Sequence, residues 1–409
     1  MKKNYRGLDV LRGLGIFVLL IMHTGFYHFA GLYDLDLNNP PLIVTLIGFL
    51  LMFAGIFAMI SGVSHTLQYQ RKRRQLGYDP KKLWRYNTRT AVYLLLVAYV
   101  YFIVTGPGIV DMANRTMNES ILVHLINTGQ FAGTNLTRVL YVDSLVMLGI
   151  NVFLMGGIYL LMEKYFKKKI KAEHYLILAI GFMLLSLVRI PLYPIYYDAF
   201  EARNWPVLLG LNFFVSKNNP IFPYLSFGLM GMWIGMLLGQ KDTKKLKIIL
   251  PVGSVLFGIG ILAYILLPDT MLERGIDPSW FAIMIAQLGL FALMVYGSLW
   301  YFDLRPNPKK PSKAIIFIER FGIAGLTVFF IESVVSALIA RILRVFVPSL
   351  SFDIFGALSY GLILAILWGF LLIAWEKTGY RYGIEYWIAK GLRKVGKSEK
   401  QEKLSGKSI

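Results

Sequence analysis

The sequence predicts an all-α, polytopic membrane helix bundle of about ten transmembrane helices, with both termini in the cytoplasm. Three observations predict it. Of 409 residues, 56% are hydrophobic and only 16% charged, against roughly a quarter charged in soluble domains. About ten apolar windows reach the length a helix needs to cross hydrocarbon, at 9–30, 41–65, 90–106, 141–162, 175–195, 221–239, 248–267, 279–302, 315–340 and 354–375. The connecting segments alternate in charge. "MKKNYR", "QRKRRQLGYDPKKLWRYNTR", "EKYFKKKIKAE", "QKDTKKLK", "DLRPNPKKPSK" and the C-terminal tail are basic, whereas "GLYDLDLNNP" has no Lys or Arg and "PDTMLERGIDP" has one. Lys and Arg mark the cytoplasmic side, so the basic segments lie inside.

That alternation also accounts for the net charge of +20. The basic residues sit between apolar runs, so membrane orientation is a simpler cause than nucleic acid, and no nucleic-acid partner is expected. Cysteine is absent, which removes disulfides, thiolate metal sites and a catalytic thiol. No small-residue cleavage site follows "MKKNYR", so a cleavable signal is not expected.

The elements follow in order. Span one, "RGLDVLRGLGIFVLLIMH", carries two arginines, an aspartate and a histidine. Span two ends in Ser61, Ser64 and His65 before the longest basic segment. Span three leads to an outer loop, 106–140, with Asn-x-Ser/Thr triplets at Asn114, Asn118 and Asn135; these are glycosylation acceptors only in a eukaryotic secretory membrane. Span four opens with "YVDSL", which puts Asp143 near the outer edge. Span five carries Arg189 in its outer half. The run "PVLLGLNFFVS" at 206–216 is too short to cross and reads as re-entrant or interfacial. Span six contains Gly231, Gly235 and Gly239, a spacing that lets helices approach closely. Spans seven and eight are set by the basic segments before and after them. Span nine holds Glu319 and Arg320 inside and Glu332 well outward. After span ten, "YRYGIEYWIAKGLRK" places Ile384, Trp387, Ile388 and Leu392 on one side and reads as an amphipathic interfacial helix. The chain thus divides into a transmembrane unit over 1–378, an interfacial helix over 379–396 and a disordered tail over 397–409.

A charged group at mid-bilayer costs at least about 2.5–3.5 kcal/mol, so such groups usually face the bundle interior or a polar path. Asp9 and Arg12 are spaced to pair on one helix face. Arg12 and His23 are about 20° from alignment over three turns and about 16 Å apart along the axis. One stripe of span one therefore carries a fixed cation near the inner side and a titratable base in the outer half. The other buried polar groups fall into two tiers: Arg6, Asp9, Arg12, His65 and Arg320 inside; His23, His28, Asp143, Arg189 and Glu332 outside. Taken singly, each is more often a structural residue than a functional one; together they suggest a route across the membrane. Aromatic residues near the outer face, Tyr193 among them, suit either an interfacial belt or a sugar. No His pair has zinc spacing, and no metal is expected. A secondary transporter with a polar path through the bundle is the competing reading, although no internal repeat supports it.

These residues carry a resemblance. "RGLDVLRGLGIFVLLIMH", with Arg-x10-His met by Arg12 and His23, resembles the opening of the transmembrane acyltransferase superfamily, which includes acyltransferase type 3 and heparan-α-glucosaminide N-acetyltransferase-like proteins. "FAGIFAMISGVSHTLQYQRKRR" looks like the second span and basic exit of that family. "ERFGIAGLTVFFIES" resembles its penultimate span, of the type Gly-x-x-x-Leu-Thr-x-x-x-x-x-Ser. "YRYGIEYWIAKGLRK" resembles a tail in which Gly-Pro-Leu-Glu is common, although here Gly383 is followed directly by Ile384 and Glu385. The resemblance implies transfer of an acyl group, often acetyl, from cytoplasmic acyl-CoA to a hydroxyl or amine of a sugar or glycolipid outside. It implies that Arg12, with Arg6, Asp9, His65 and Arg320, holds the donor phosphates. It implies a histidine base, His23 or, as in the outer loop of the heparan branch, His28, oriented by Glu332 or Asp143. Arg189 and Tyr193 are then acceptor-binding candidates. Membrane lipid, acyl-CoA and the acceptor are the implied partners, an oligomer is compatible, and the cell membrane is the location if the source is prokaryotic.

Overall fold

The computed structural model describes residues 5–36, 41–44, 53–112, 114–133, 136–166, 170–240, 243–267, 276–307 and 310–393. Its helices are α1 (Arg6–Phe26), α2 (Ala54–Arg74), α3 (Pro80–Val100), α4 (Ile121–Thr128), α5 (Leu136–Leu140), α6 (Ser144–Phe166), α7 (Glu173–Leu185), α8 (Arg189–Glu201) and α9 (Trp205–Val215). The second half adds α10 (Ile221–Gly239), α11 (Ile249–Leu266), α12 (Pro278–Leu299), α13 (Lys313–Ile323), α14 (Gly325–Phe346) and α15 (Ile354–Glu376). A last helix, α16, covers 384–393. Between α3 and α4 lies a small antiparallel hairpin, β1 (Ile109–Asp111) and β2 (Thr116–Asn118). Hydrocarbon offers no hydrogen-bond partner, so segments that cross it must satisfy their backbone internally, and helices do so.

Nine helices among the described residues are long and apolar enough to cross a bilayer, which makes the chain an all-α, multi-pass membrane protein. The tenth expected crossing, 41–65, falls partly on 45–52, outside the described residues; its described portion is 41–44 and, from 53 on, the start of α2. The run at 206–216 is the short apolar helix α9. The expected tail beyond residue 393 also lies outside the described residues.

Two expected boundaries move. The basic stretch after span two is largely helix rather than loop: α2 runs to Arg74 and α3 starts at Pro80. Lys and Arg are good helix formers, so their charge does not end a helix. The restart is set by the Asp79 side chain, which accepts from the Lys82 amide at 2.7 Å, with Pro80 in the first helical position. The expected span nine, 315–340, is two helices, α13 and α14, divided at Ala324 (φ −110°, ψ 21°). Hydropathy is blind to this break because both sides of it are apolar.

The centre of the bundle is α10, buried continuously from Pro223 to Leu238. It packs against α2, α6 and α7. Its glycines let it meet α2 backbone to backbone: a Cβ on Gly231 would fall 2.1 Å from the Met59 carbonyl oxygen. The same device seats α1. A Cβ on Gly13 would fall 2.1 Å from the Ile318 carbonyl oxygen in α13, and one on Gly25 would fall 2.4 Å from that of Ala357 in α15. The stripe of α1 that carries His23 is thereby fixed against its neighbours.

Candidate active site

The outer half of α1 brings His23 against α14. His23 Nδ1 lies 2.8 Å from Glu332 Oε1, and the Glu332 side chain is fully buried. Tyr101, at the junction where α3 widens into a π-helical turn over Tyr101–Thr105, donates its hydroxyl to the same Oε1 at 3.3 Å. Phe329, one turn before Glu332, sits 5.8 Å from the imidazole. Against an ionised Glu332 carboxylate the Nδ1 hydrogen points to it, and the neutral imidazole then has its lone pair on Nε2.

His23 lines a cavity of about 690 Å³. Along α1 the lining runs from Leu11 through Leu14, Val18 and Met22 to Tyr27, about 24 Å at 1.5 Å per residue. The inner stretch is apolar. The outer stretch gathers the polar groups: His23, Tyr101, Asp143, Ser144 and Lys217–Asn219. Asp143 is buried, its Oδ1 accepting from the Val146 amide at 2.8 Å at the start of α6, while its Oδ2 has no hydrogen-bond partner among the described residues. Asn219 is tied to this corner by its amide, which donates to the Val142 carbonyl at 3.0 Å.

The structure thus brings together His23, Glu332 and Asp143, with Glu332 holding the imidazole and Asp143 on the cavity wall. It places His28 elsewhere. Beyond the end of α1, His28 Nε2 meets Ser336 Oγ at 3.1 Å, and its ring stands edge-on to Tyr360 at 5.2 Å. The two histidines therefore face residues one turn apart on α14. Arg189 is buried and donates to the carbonyls of Val215 (3.1 Å) and Ser216, with its guanidinium 4.7 Å from the Trp280 ring. It holds the end of α9, just before Lys217–Asn219, and does not itself line the cavity. Tyr193 is half-buried on α8, 6.0 Å from Tyr196, also away from the cavity.

The inner tier is a set of ion pairs. Arg6 Nε pairs with Glu319 at 3.0 Å, Arg12 with Asp9, and Arg320 with Glu376 at 2.8 Å. Arg12 keeps a buried Nε–H without an acceptor among the described residues. His65 stands beside Tyr69 on α2, ring centroids 5.8 Å apart, with no hydrogen bond to the Arg12 cluster among the described residues.

Sequence reading missed two residues of this region. Tyr101 was one aromatic among many in an apolar span, and only proximity to Glu332 distinguishes it. Arg138 is fully buried and donates to the carbonyls of Phe102 (2.8 Å), Pro107 (2.7 Å) and Asn118 (2.6 Å), clamping the hairpin that forms a cavity wall. Its signal was an arginine inside the apolar run "LTRVLYV".

A multi-pass bundle of apolar helices with a histidine–carboxylate pair on the wall of an interior cavity defines a class: an integral membrane protein. Residues 5–267 match the family of heparan-alpha-glucosaminide N-acetyltransferase catalytic domains. The match covers more than half of the chain, which belongs to that family and is an integral membrane acetyltransferase. A comparison with curated proteins finds no match. The matched region takes in α1, Asp143 and Lys217–Asn219 and ends at α11, so Glu332 on α14 lies outside it.

Proposed function

We propose that this protein moves an acetyl group from cytoplasmic acetyl-CoA to a hydroxyl or amine of a sugar or glycolipid at the outer side, with His23 as general base. The observation that carries the reading is the His23–Glu332 pair at the polar end of a cavity about 24 Å long on α1. The resulting step is balanced within the site. Nε2 of His23 takes the acceptor proton as the acceptor oxygen or nitrogen attacks the thioester carbonyl. The carbon–sulfur bond then breaks, and the departing thiolate takes the proton back from the imidazolium. Glu332 keeps the imidazole in the required tautomer and stabilises its charged form, as a carboxylate does in other acyl-transfer sites. Tyr101 shares the load on Glu332.

The apolar inner stretch suits the pantetheine and acyl end of the donor, and Arg12, with one N–H to spare, suits its phosphates. The free Oδ2 of Asp143, together with Asn219, suits the hydroxyl groups of an acceptor. His23 is preferred to His28 as the base because His23 lines the cavity and His28 is turned to Ser336 and Tyr360. Residues 379–396 serve as an amphipathic interfacial helix on the inner leaflet.

The test is binding and turnover of labelled acetyl-CoA by the purified protein, alongside Arg12→Ala and His23→Ala. The expected result is that wild type binds and turns over, Arg12→Ala loses binding, and His23→Ala binds without turnover. If none of the three binds acetyl-CoA, the donor assignment is wrong and solute uptake becomes the activity to measure.

A further inference from the structure

We infer that Glu385, on the C-terminal segment, is a positioning residue for the active site: it caps α14 and so holds Glu332 against His23. This rests on the reading of the His23–Glu332 pair as catalytic. The break at Ala324 starts α14 afresh, and the first amides of a helix have no acceptor within it. Ala324 supplies no side-chain cap. The acceptor comes from a distant part of the chain. Glu385 Oε1 accepts from the amides of Leu326 (2.7 Å) and Thr327 (3.1 Å). Its Oε2 accepts from the Thr327 hydroxyl at 2.5 Å, and that hydroxyl in turn accepts from the Ile384 amide at 2.7 Å. A carboxylate at a helix N-terminus meets both the orphan amides and the positive end of the helix dipole.

The segment is seated closely against α14 and the end of α15. A Cβ on Gly383 would fall 3.0 Å from both Thr327 Oγ1 and the Trp375 ring, so glycine permits the approach. Trp375 Nε1 donates to the Arg381 carbonyl at 2.9 Å, fixing the turn to α15. From the capped amide of Thr327, Glu332 is five residues on, about 8 Å along a continuous helix. Glu332 and Gly325, the first residue of α14, are two turns apart and share a face. The first turn of α14 thus sets where Glu332 meets His23, and the first turn is held by Glu385. The C-terminal segment completes the active site from the cytoplasmic side of the break without touching substrate.

The test uses full-length protein in lipid nanodiscs, with histidine labelled by ¹⁵N. The His23 resonance is assigned by its loss in His23→Ala. Glu332→Gln is expected to move that resonance and to lower acetyl-CoA turnover by about 10²–10⁴-fold, the range for loss of an orienting group in acid–base catalysis. Glu385→Ala is expected to move the His23 resonance in the same direction and to lower turnover about tenfold, with KM for acetyl-CoA unchanged. Glu385→Gln keeps an acceptor oxygen and should stay nearer wild type. The double variant Glu385→Ala/Glu332→Gln should lose no more than Glu332→Gln alone, since both act through one contact. Should Glu385→Ala fail to fold, Thr327→Val, which removes the hydroxyl that joins Glu385 and the Ile384 amide, carries the same comparison. A His23 resonance and turnover unchanged by Glu385→Ala or Thr327→Val, with Glu332→Gln still effective, overturn the inference and leave the catalytic pair standing. No effect of Glu332→Gln on either readout overturns the catalytic pair itself.

Discussion

At the scale of single residues, the two histidines of the first span and its exit are separated by their partners. His23 has a buried carboxylate on Nδ1 and a cavity at the other nitrogen; His28 has a hydroxyl and an aromatic edge. We expect His23→Ala to lower acetyl transfer by about 10²–10⁴-fold, the usual weight of a general base, and His28→Gln to change it less than threefold. A His28→Gln variant that loses transfer while His23→Ala retains it would reverse the assignment. His28 also contributes to acid lability. Burial, and then the Arg344 cation, push it down from 6.5 to about 4. Between those values the unfolded chain binds a proton that the folded chain does not, so stability falls as pH drops through that window. The thermal midpoint of wild type should therefore fall between pH 6.5 and pH 4.5, and that of His28→Gln should fall less.

At the scale of elements, the site depends on helices that touch through backbone. The approach of α10 to α2 leaves no room at Gly231, where a Cβ would lie 2.1 Å from a carbonyl oxygen. We expect Gly231→Leu to cost at least 1–3 kcal/mol, roughly the price of overpacking, visible as loss of monodisperse protein in detergent, whereas Gly258→Ala, with open space around it, should behave as wild type. Arg138 does for the outer wall what glycine does for the centre. Its three carbonyl contacts join the end of α3 to the hairpin. Removing a buried charge that satisfies three acceptors leaves them unpaired, at about 1–3 kcal/mol each before relaxation. Arg138→Met should lower the thermal midpoint and leave a protein that binds acetyl-CoA but has a raised KM for its acceptor.

At the scale of the whole molecule, the alternation of basic and non-basic segments predicts the orientation of the bundle, and the cavity's polar end lies at the C-terminal end of α1. The absence of cysteine makes that orientation directly measurable. A single cysteine introduced at Gln75, in the short turn between α2 and α3, should react with a membrane-impermeant maleimide only after permeabilisation. One at Asn114, in the turn of the outer hairpin, should react in intact cells. The reverse pattern would turn the molecule over and put the polar end of the cavity in the cytoplasm.

The sequence by itself determined that this is a bundle of apolar helices and that His23 and Arg12 share one stripe of α1, and it predicts which way the bundle faces. These follow from local physics: hydrocarbon forces helices, helices fix the angle between residues, and Lys and Arg fix the side. It also carried Glu332 and Asp143 as alternatives for the same task. Only the tertiary structure decided between them, placing Glu332 on the imidazole and Asp143 on the wall. It also separated His28 from the cavity, turned Arg189 to the end of α9, divided span nine at Ala324, and brought Glu385 to the start of α14. The physical reason is common to all of these. Such contacts join residues far apart in the chain, and in a membrane the apolar helix faces that bring them together differ in shape rather than in hydropathy, so neither periodicity nor composition records which face meets which.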